Sequence, residues 1–221
     1  MATASEQKKI NIRIKRIFDL GIAVPLIVVL SPVFFLIGFM VRMIIGKPVL
    51  FRQDRPGKDG KTFVINKFRT MTDERDKDGN LLPDAKRLKP LGRFLRKMSL
   101  DELPELLNVI KGEMSLVGPR PLLKQYLNFY TPEQARRHEV KPGITGWAQI
   151  HGRNNTPFSK RFAMDVWYVD NYSFWLDIKI IILTVVQVFK RKNIRSDLER
   201  CYFEVNDCGL PDKIKTEEDD D

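Results

Sequence analysis

The chain is poor in the residues that staple small domains or hold metal ions. Its 221 residues include only two cysteines, Cys201 and Cys208, and two histidines, His138 and His151. Neither pair completes a metal-ligand pattern, so a disulfide scaffold and a zinc site are set aside, and the cysteine usage suits a reducing compartment. No internal repeat is evident. Acidic residues are in deficit, 28 Asp and Glu against 38 Lys and Arg, for a net charge of +10. That balance suits a nucleic acid, an anionic membrane surface or a phosphorylated substrate and does not choose among them. Apolar residues make up 43% of the chain, which argues against wholesale disorder. The length allows one substantial core, or one catalytic domain with an attachment element.

Charge is missing altogether from residues 20–41, LGIAVPLIVVLSPVFFLIGFMV. As a straight helix this run would reach about 33 Å, enough to cross a bilayer core of roughly 30 Å. No small-x-small cleavage site follows it, against a signal peptide. Two features compete with a simple span. Lys8, Lys9, Arg13, Lys15 and Arg16 precede the run, and Arg42, Lys47, Arg52, Arg55, Lys58 and Lys61 follow it, so both flanks favour the cytoplasmic side. Ser31-Pro32 sits at the midpoint, where proline removes a donor and favours a bend. The freed carbonyl at membrane depth would need another donor, from Ser31 or a neighbouring segment. Pro25 offers a second kink site, and re-entrant and spanning helices remain equal readings on these grounds.

Residues 49–53 and 62–67 read as two short strands joined by Arg55-Pro56-Gly57 and Asp59-Gly60 turn chemistry. Asp76-x-Asp78-Gly79-Asn80 lacks the order and final glutamate of a calcium loop and reads as a solvated turn. A short basic helix is expected over 90–98, with Leu91, Leu95 and Met98 on one side. In SLDELPELLNVIKG, residues 99–112, Leu103, Leu106, Leu107 and Ile110 form the stripe of a packed helix that Lys111-Gly112 ends. Helices are also expected near 121–130, from Thr131-Pro132-Glu133 to about 139, and over 158–169, with a structured turn region at 142–154. Residues 174–189 are strongly apolar and fit either a core helix or one in the membrane interface.

The adjacent carboxylates Asp101 and Glu102 admit two explanations. In a capping box Ser99 caps and Glu102 reaches back; with Asp101 as N-cap, Pro104 falls among the orphan donors, and the proline favours this later start. Either register sets both carboxylates at the positive end of a helix. Phosphoryl transfer is the other explanation. It asks for cations around the phosphates and usually a divalent ion, and Arg93, Arg96 and Lys97 precede the pair while Gly118-Pro119-Arg120-Pro121 follows the helix. If helix 101–111 is one arm of a hairpin, the chain returns Arg120 toward Asp101, with a proline on each side restricting it.

Several ordered blocks carry a family resemblance: Lys15-Arg16-Ile17-Phe18-Asp19 leading to Ser31-Pro32, FRQDRPG at 51–57, KFRTM at 67–71, LRKMSLDELPELLNVIKGEMSLVGPRP at 95–121 and PGITGWAQIHGRN at 142–154. Over about residues 13–190 the chain resembles the monotopic polyprenyl-phosphate phosphoglycosyl transferases, the small catalytic-core type of bacterial sugar transferase that initiates membrane glycan assembly. The resemblance implies an α/β, mainly helical cytoplasmic catalytic domain with a small antiparallel sheet or hairpin. It would be anchored by an N-terminal re-entrant membrane helix bent at Ser31-Pro32, on the cytoplasmic face of the bacterial inner membrane.

The boundaries expected are 1–47 for the basic segment and membrane helix, 48–192 for the catalytic core, and 193–221 for an extension with an acidic, disordered end. The resemblance further implies transfer of a phosphosugar from a UDP-sugar to undecaprenyl phosphate, with release of UMP. Asp101 matches the nucleophile, Glu102 the ligand of a Mg2+ cofactor, and Arg96 and Arg120 the phosphate-binding arginines. Lys67, Arg153 and Asp165 occupy family-like positions and are further substrate-site candidates. Glu113 stands where the family often has aspartate and preserves the charge. Anionic membrane lipids are expected partners, nucleic acid is not, and the oligomeric state is left open, a homodimer included. The sugar donor and the roles of Cys201 and Cys208 are not legible. The rival functions are a basic membrane-associated scaffold and a nucleic-acid-binding protein, both without catalysis.

Overall fold

A computed structural model describes residues 4–152 and 156–190 of the protein. Arg153, Cys201, Cys208 and the acidic end lie outside the described residues.

The chain opens with one long helix, α1 (Ala4–Ile44), which contains Pro25 and Pro32. It remains helical through Ser31-Pro32. Pro32 has no N–H to give to the carbonyl of residue 28, and the Ser31 hydroxyl donates to that Val28 oxygen instead, at 2.8 Å. Of the two donors expected, Ser31 or a neighbouring segment, Ser31 is the one that serves. A stripe of α1 is buried: Asp19, Ala23, Ile37, Val41 and Ile45 just beyond it. The opposite side leaves Val28, Val29, Phe35, Leu36, Phe39 and Met43 exposed, Phe35 at 80%.

An antiparallel hairpin follows, β1 (Leu50–Pro56) and β2 (Thr62–Phe68), with Phe51 opposite Lys67 and Pro56 opposite Thr62. The alternation of strand side chains puts Phe63, Ile65 and Lys67 on one face of β2. The first two are buried in the main core, and the third reaches the carboxylates described below. A short helix α2 (Asp84–Arg87) leads to α3 (Pro90–Lys97), which starts with proline in its first turn. Leu95 is buried there, whereas Met98, expected on the same side, is 38% exposed.

The pair-bearing segment differs in detail from its sequence reading. Leu100–Glu102 is a 3₁₀ turn, and α4 (Glu105–Lys111) begins only after Pro104. The packed face of α4 is Leu106, Asn108 and Val109, while Leu107 turns outward at 39% exposure. Gly112 ends the helix in the left-handed conformation, φ 86°, as Lys111-Gly112 indicated.

The chain then forms β3 (Ser115–Val117), the short helix α5 (Pro132–Ala135), β4 (Gly143–Thr145), α6 (Trp147–His151), α7 (Phe158–Asn171) and α8 (Phe174–Lys190). The helix expected near 121–130 is a 3₁₀ segment at Lys124–Phe129. The helix expected from Thr131 starts with a capping box, Thr131 and Gln134 being reciprocal partners, but passes into 3₁₀ geometry at Arg136–Glu139. The turn region at 142–154 contains β4, which pairs in parallel with β3, Ser115 opposite Gly143 and Val117 opposite Thr145. Among the described residues the sheets are thus this parallel pair and the β1–β2 hairpin.

One apolar cluster joins Ala23 of α1, Phe63 and Ile65, Leu106 and Val109, Met114, Val117, Tyr168 and Ile180. A second joins Ile37, Val41 and Ile45 with Phe68 and Leu95. Polar residues of α1 tie the same surfaces together. Arg16 donates to the carbonyls of Val109 and Ile110 at 2.5 and 2.7 Å, capping the end of α4. Asp19 accepts from the Ser115 hydroxyl and the Leu116 N–H, both at 3.1 Å. Lys15 pairs with buried Asp177 of α8, which also accepts from the Tyr168 hydroxyl at 2.6 Å.

Candidate active site

Capping does not account for the paired carboxylates. Ser99 makes no capping hydrogen bond and is held at φ 55°, in the left-handed region, immediately before the turn. Glu102 instead faces two cations. Lys67 Nζ donates to its Oε1 at 2.8 Å and Arg120 Nη2 to the same oxygen at 2.5 Å. The hairpin expected from sequence is therefore present: the chain turns at Gly112, passes through β3 and brings Arg120 back to the 3₁₀ turn. Burial opposes charge on Glu102, but Arg120 and Lys67 outweigh it and hold the carboxyl below the usual range. Glu102 in turn holds the Arg120 guanidinium above its ordinary value.

Asp101 is buried beside this cluster. Burial and the neighbouring Glu102 push its carboxyl up, against the pull of Lys67, Arg96 and Arg120. Arg96, from the last turn of α3, is fixed by a 2.9 Å bond from its Nε to the Thr70 hydroxyl. Gly92 makes this approach possible, because a Cβ there would lie 1.9 Å from the Thr70 carbonyl oxygen. Asp101, Glu102, Lys67, Arg96, Arg120 and Asp165 all line one open cavity of about 1200 Å³.

Asp165, at the cavity wall, is engaged by a partner within the protein. It accepts from Arg137 Nε and Nη2, at 3.2 and 2.7 Å, in an ion pair whose side chains are 5% and 3% exposed. Arg137 Nη2 also donates to the Arg120 carbonyl at 2.8 Å, and its Nη1 to the Tyr130 hydroxyl at 2.9 Å. The pair thus holds the backbone of Arg120, with Asp165 one step behind it.

Two site residues escaped the sequence reading. Arg137 lies in a charged, glycine-free stretch with no motif to mark it. Glu105 carried a usable signal, since it follows Glu102 by three residues and shares its helical face. Its side chain is 3% exposed, and its Oε1 lies 3.2 Å from Lys67 Nζ, in ion-pair range but without a hydrogen bond. Burial, with Glu102 nearby, pushes its carboxyl up to about 7.

Asn108 secures the platform beneath these groups. Its Oδ1 accepts from the Asn66 N–H and Nδ2, at 3.2 and 3.1 Å, and its Nδ2 donates to Val64 O at 2.7 Å and to Glu113 Oε2 at 2.6 Å. Asn108 thus ties α4 to β2, and Glu113 braces its side-chain amide.

No cluster of three or more His, Cys, Asp or Glu suited to a metal ion occurs among the described residues. Among the described residues no all-protein cage for a cation is thus built. The donor set does fit a magnesium ion completed by substrate oxygens and water, which takes only one or two carboxylates from the protein; Glu102 and Asp101 are adjacent in the cavity.

The bacterial sugar transferase family profile matches residues 10–191. An uncharacterized sugar transferase, EpsL of Bacillus subtilis (strain 168), is 59% identical over 182 residues, covering 82% of this chain and 90% of that protein. The UDP-glucose:undecaprenyl-phosphate glucose-1-phosphate transferase of Escherichia coli (strain K12) is 42% identical over 193 residues, covering 83% of this chain and 42% of that protein. The UDP-galactose-lipid carrier transferase of Erwinia amylovora is 41% identical over 196 residues, covering 80% of this chain and 41% of that protein. The chain spans less than half the length of these last two relatives. With the matched profile covering most of its length, the chain belongs to the bacterial sugar transferase family, the polyprenyl-phosphate phosphoglycosyl transferases that its motifs resemble.

Proposed function

We propose that this protein transfers a sugar 1-phosphate from a UDP-sugar to undecaprenyl phosphate, through a covalent intermediate on Asp101. The observation that carries the reading is the convergence of Lys67 and Arg120 on Glu102 beside buried Asp101. In the first step an Asp101 carboxylate oxygen attacks the sugar-bearing phosphorus. The P–O bond to the uridine phosphate breaks, and UMP leaves with the electron pair. In the second, a phosphate oxygen of undecaprenyl phosphate attacks the same phosphorus. Asp101 departs as a carboxylate, and the product is undecaprenyl-diphosphosugar.

Arg96, Arg120 and Lys67 bind and orient phosphate oxygens, and their fixed positions stabilise charge that shifts between oxygens during transfer. Arg137 and Asp165 hold Arg120 from behind. Magnesium held by Glu102 and diphosphate oxygens would offset the repulsion between Asp101 and its anionic substrate.

The same reading places α1 in the membrane as a re-entrant element. Its exposed Val28, Val29, Phe35, Leu36 and Phe39 form an apolar surface that water would not tolerate. By length and composition the helix is long enough to cross a bilayer. Its packing supports a return to the same face: Ala23 and Ile37 are both buried against the catalytic core. The helix between them rises only about 21 Å, short of a hydrocarbon core of roughly 30 Å. Basic residues on both flanks would rest on anionic lipid at the cytoplasmic face of the bacterial inner membrane.

Purified protein incubated with a panel of UDP-sugars, undecaprenyl phosphate and magnesium tests the chemistry. The expected result is UMP release that Asp101→Asn abolishes. Release that survives this substitution, or none from any donor, contradicts it. For the topology, cysteines placed on the two flanks should label from one face of inverted vesicles; labelling from opposite faces contradicts the re-entrant arrangement.

A further inference from the structure

Asp19 is 2% exposed and stands on α1 immediately before the uncharged run. A buried carboxylate is a costly way to fasten a helix, and the catalytic steps proposed above make no use of this one. Its Oδ1 accepts from the Ser115 hydroxyl and from the Leu116 N–H, both at 3.1 Å. The second bond matters because β3 has a partner strand on one side only. Ser115 and Val117 pair with Gly143 and Thr145 of β4, so the Leu116 N–H between them points away from β4. Asp19 takes this edge donor in place of a further strand. With three residues paired to three, the β3–β4 ladder is marginal by itself, and its free edge is held from α1.

From Leu116 to Arg120 the backbone has little freedom. Gly118 N donates to Thr145 O at 2.9 Å, and Gly143 N to Pro119 O at 3.0 Å. A Cβ on Gly118 would lie 2.4 Å from Lys141 O, so this segment sits directly against the chain that leads into β4. Pro119 and Pro121 restrict the backbone on both sides of Arg120. A shift at Leu116 would therefore be carried to Arg120 rather than absorbed between them.

We propose that Asp19 is a positioning residue for Arg120: through β3 it sets where the guanidinium meets Glu102 and the substrate phosphates. This role rests on the function proposed above and adds a requirement, that α1 be seated before Arg120 is aligned. Arg137 holds Arg120 at its own carbonyl, whereas Asp19 holds the strand that delivers it. The site therefore depends on a side chain of the membrane helix that does not line its cavity.

Asp19→Ala removes both bonds. In full-length protein with UDP-sugars, magnesium and no acceptor, the rate constant of the UMP burst should fall about tenfold, as for a slightly misplaced donor. The burst amplitude, which counts competent sites, should stay at the wild-type value. Asp19→Asn, whose Oδ1 can accept the same two bonds, should restore the rate constant to within about threefold of wild type. In an Arg120→Ala background, Asp19→Ala should have no further effect, because the group it positions is gone. Ser115→Ala removes the hydroxyl partner alone and should slow the burst by about threefold, with the same dependence on Arg120. That variant completes the cycle if Asp19→Ala fails to fold. An unchanged rate constant, a loss confined to amplitude, an Asp19→Asn as slow as Asp19→Ala, or equal slowing with and without Arg120 would overturn the role. A wild type that releases no UMP contradicts the proposed function instead, whereas an active wild type with additive variants contradicts the role of Asp19 alone.

Discussion

Arg120 Nη2 lies 2.5 Å from Glu102 Oε1, which closes the chain after α4 back onto the turn that carries the two carboxylates. Lys67 reaches the same oxygen from β2, so three separate segments meet at one atom. Arg120 is the more exposed cation, at 44%, and is placed to exchange Glu102 for a phosphate oxygen. Arg120→Ala should lower kcat by about 10²- to 10³-fold, the usual effect of losing one aligned transition-state donor. Steady-state UMP release checks this, and a variant within a few-fold of wild type would remove Arg120 from the chemistry.

Asp165 and Arg137 support Arg120 through its carbonyl oxygen. Removing one member of so buried a pair leaves an uncompensated charge, and Asp165→Ala should cost about 3–5 kcal/mol of stability. The double variant Asp165→Leu with Arg137→Met should be less destabilised than Asp165→Ala, yet slower than wild type because Arg120 loses its brace. Thermal melts in detergent and UMP release together separate the two effects.

Glu105 gives the fold a pH dependence of definite sign. Its folded pKa, about 7, is above the ordinary carboxyl value of 4.5. Between these values the folded state binds the proton and the unfolded state does not, so this group's contribution to stability declines as pH rises. Glu105→Gln, which cannot ionise, should gain on wild type by about 2 kcal/mol between pH 5 and pH 8. Parallel melts across that range check it, and a constant difference would show that Glu105 does not titrate there.

Gly92 lets α3 rest on Thr70, so Gly92→Ala should push the helix away and cost about 1–3 kcal/mol. Arg96 would leave its Thr70 bond, and KM for the UDP-sugar should rise. An unshifted melt with wild-type KM would contradict the role given to this contact.

Local pattern made part of this architecture legible. Alternation and turn residues marked the β1–β2 hairpin to within a few residues, and Lys111-Gly112 marked the end of α4. The return of Arg120 to the carboxylates followed from a short helix with a turn behind it. What escaped depends on distant partners. β3 and β4 are three residues each, too short for a periodic signal, and pair only once the intervening chain is folded. The 3₁₀ turn at Leu100–Glu102 moved the helix start past Pro104, because Glu102 faces Lys67 and Arg120 rather than a capping partner. Asp165 was marked by its position, but its ion-pair partner Arg137 comes from a stretch with no distinctive sequence.

The proposed transfer passes through a covalent bond between Asp101 and the phosphosugar. Its most direct measurement is the intact mass of purified protein after incubation with UDP-sugars and magnesium, without lipid acceptor. The expected spectrum shows an added sugar phosphate, mapped to Asp101, lost when undecaprenyl phosphate is supplied and absent from Asp101→Asn. UMP release with unmodified protein at every time point, or an adduct that persists in Asp101→Asn, would contradict it.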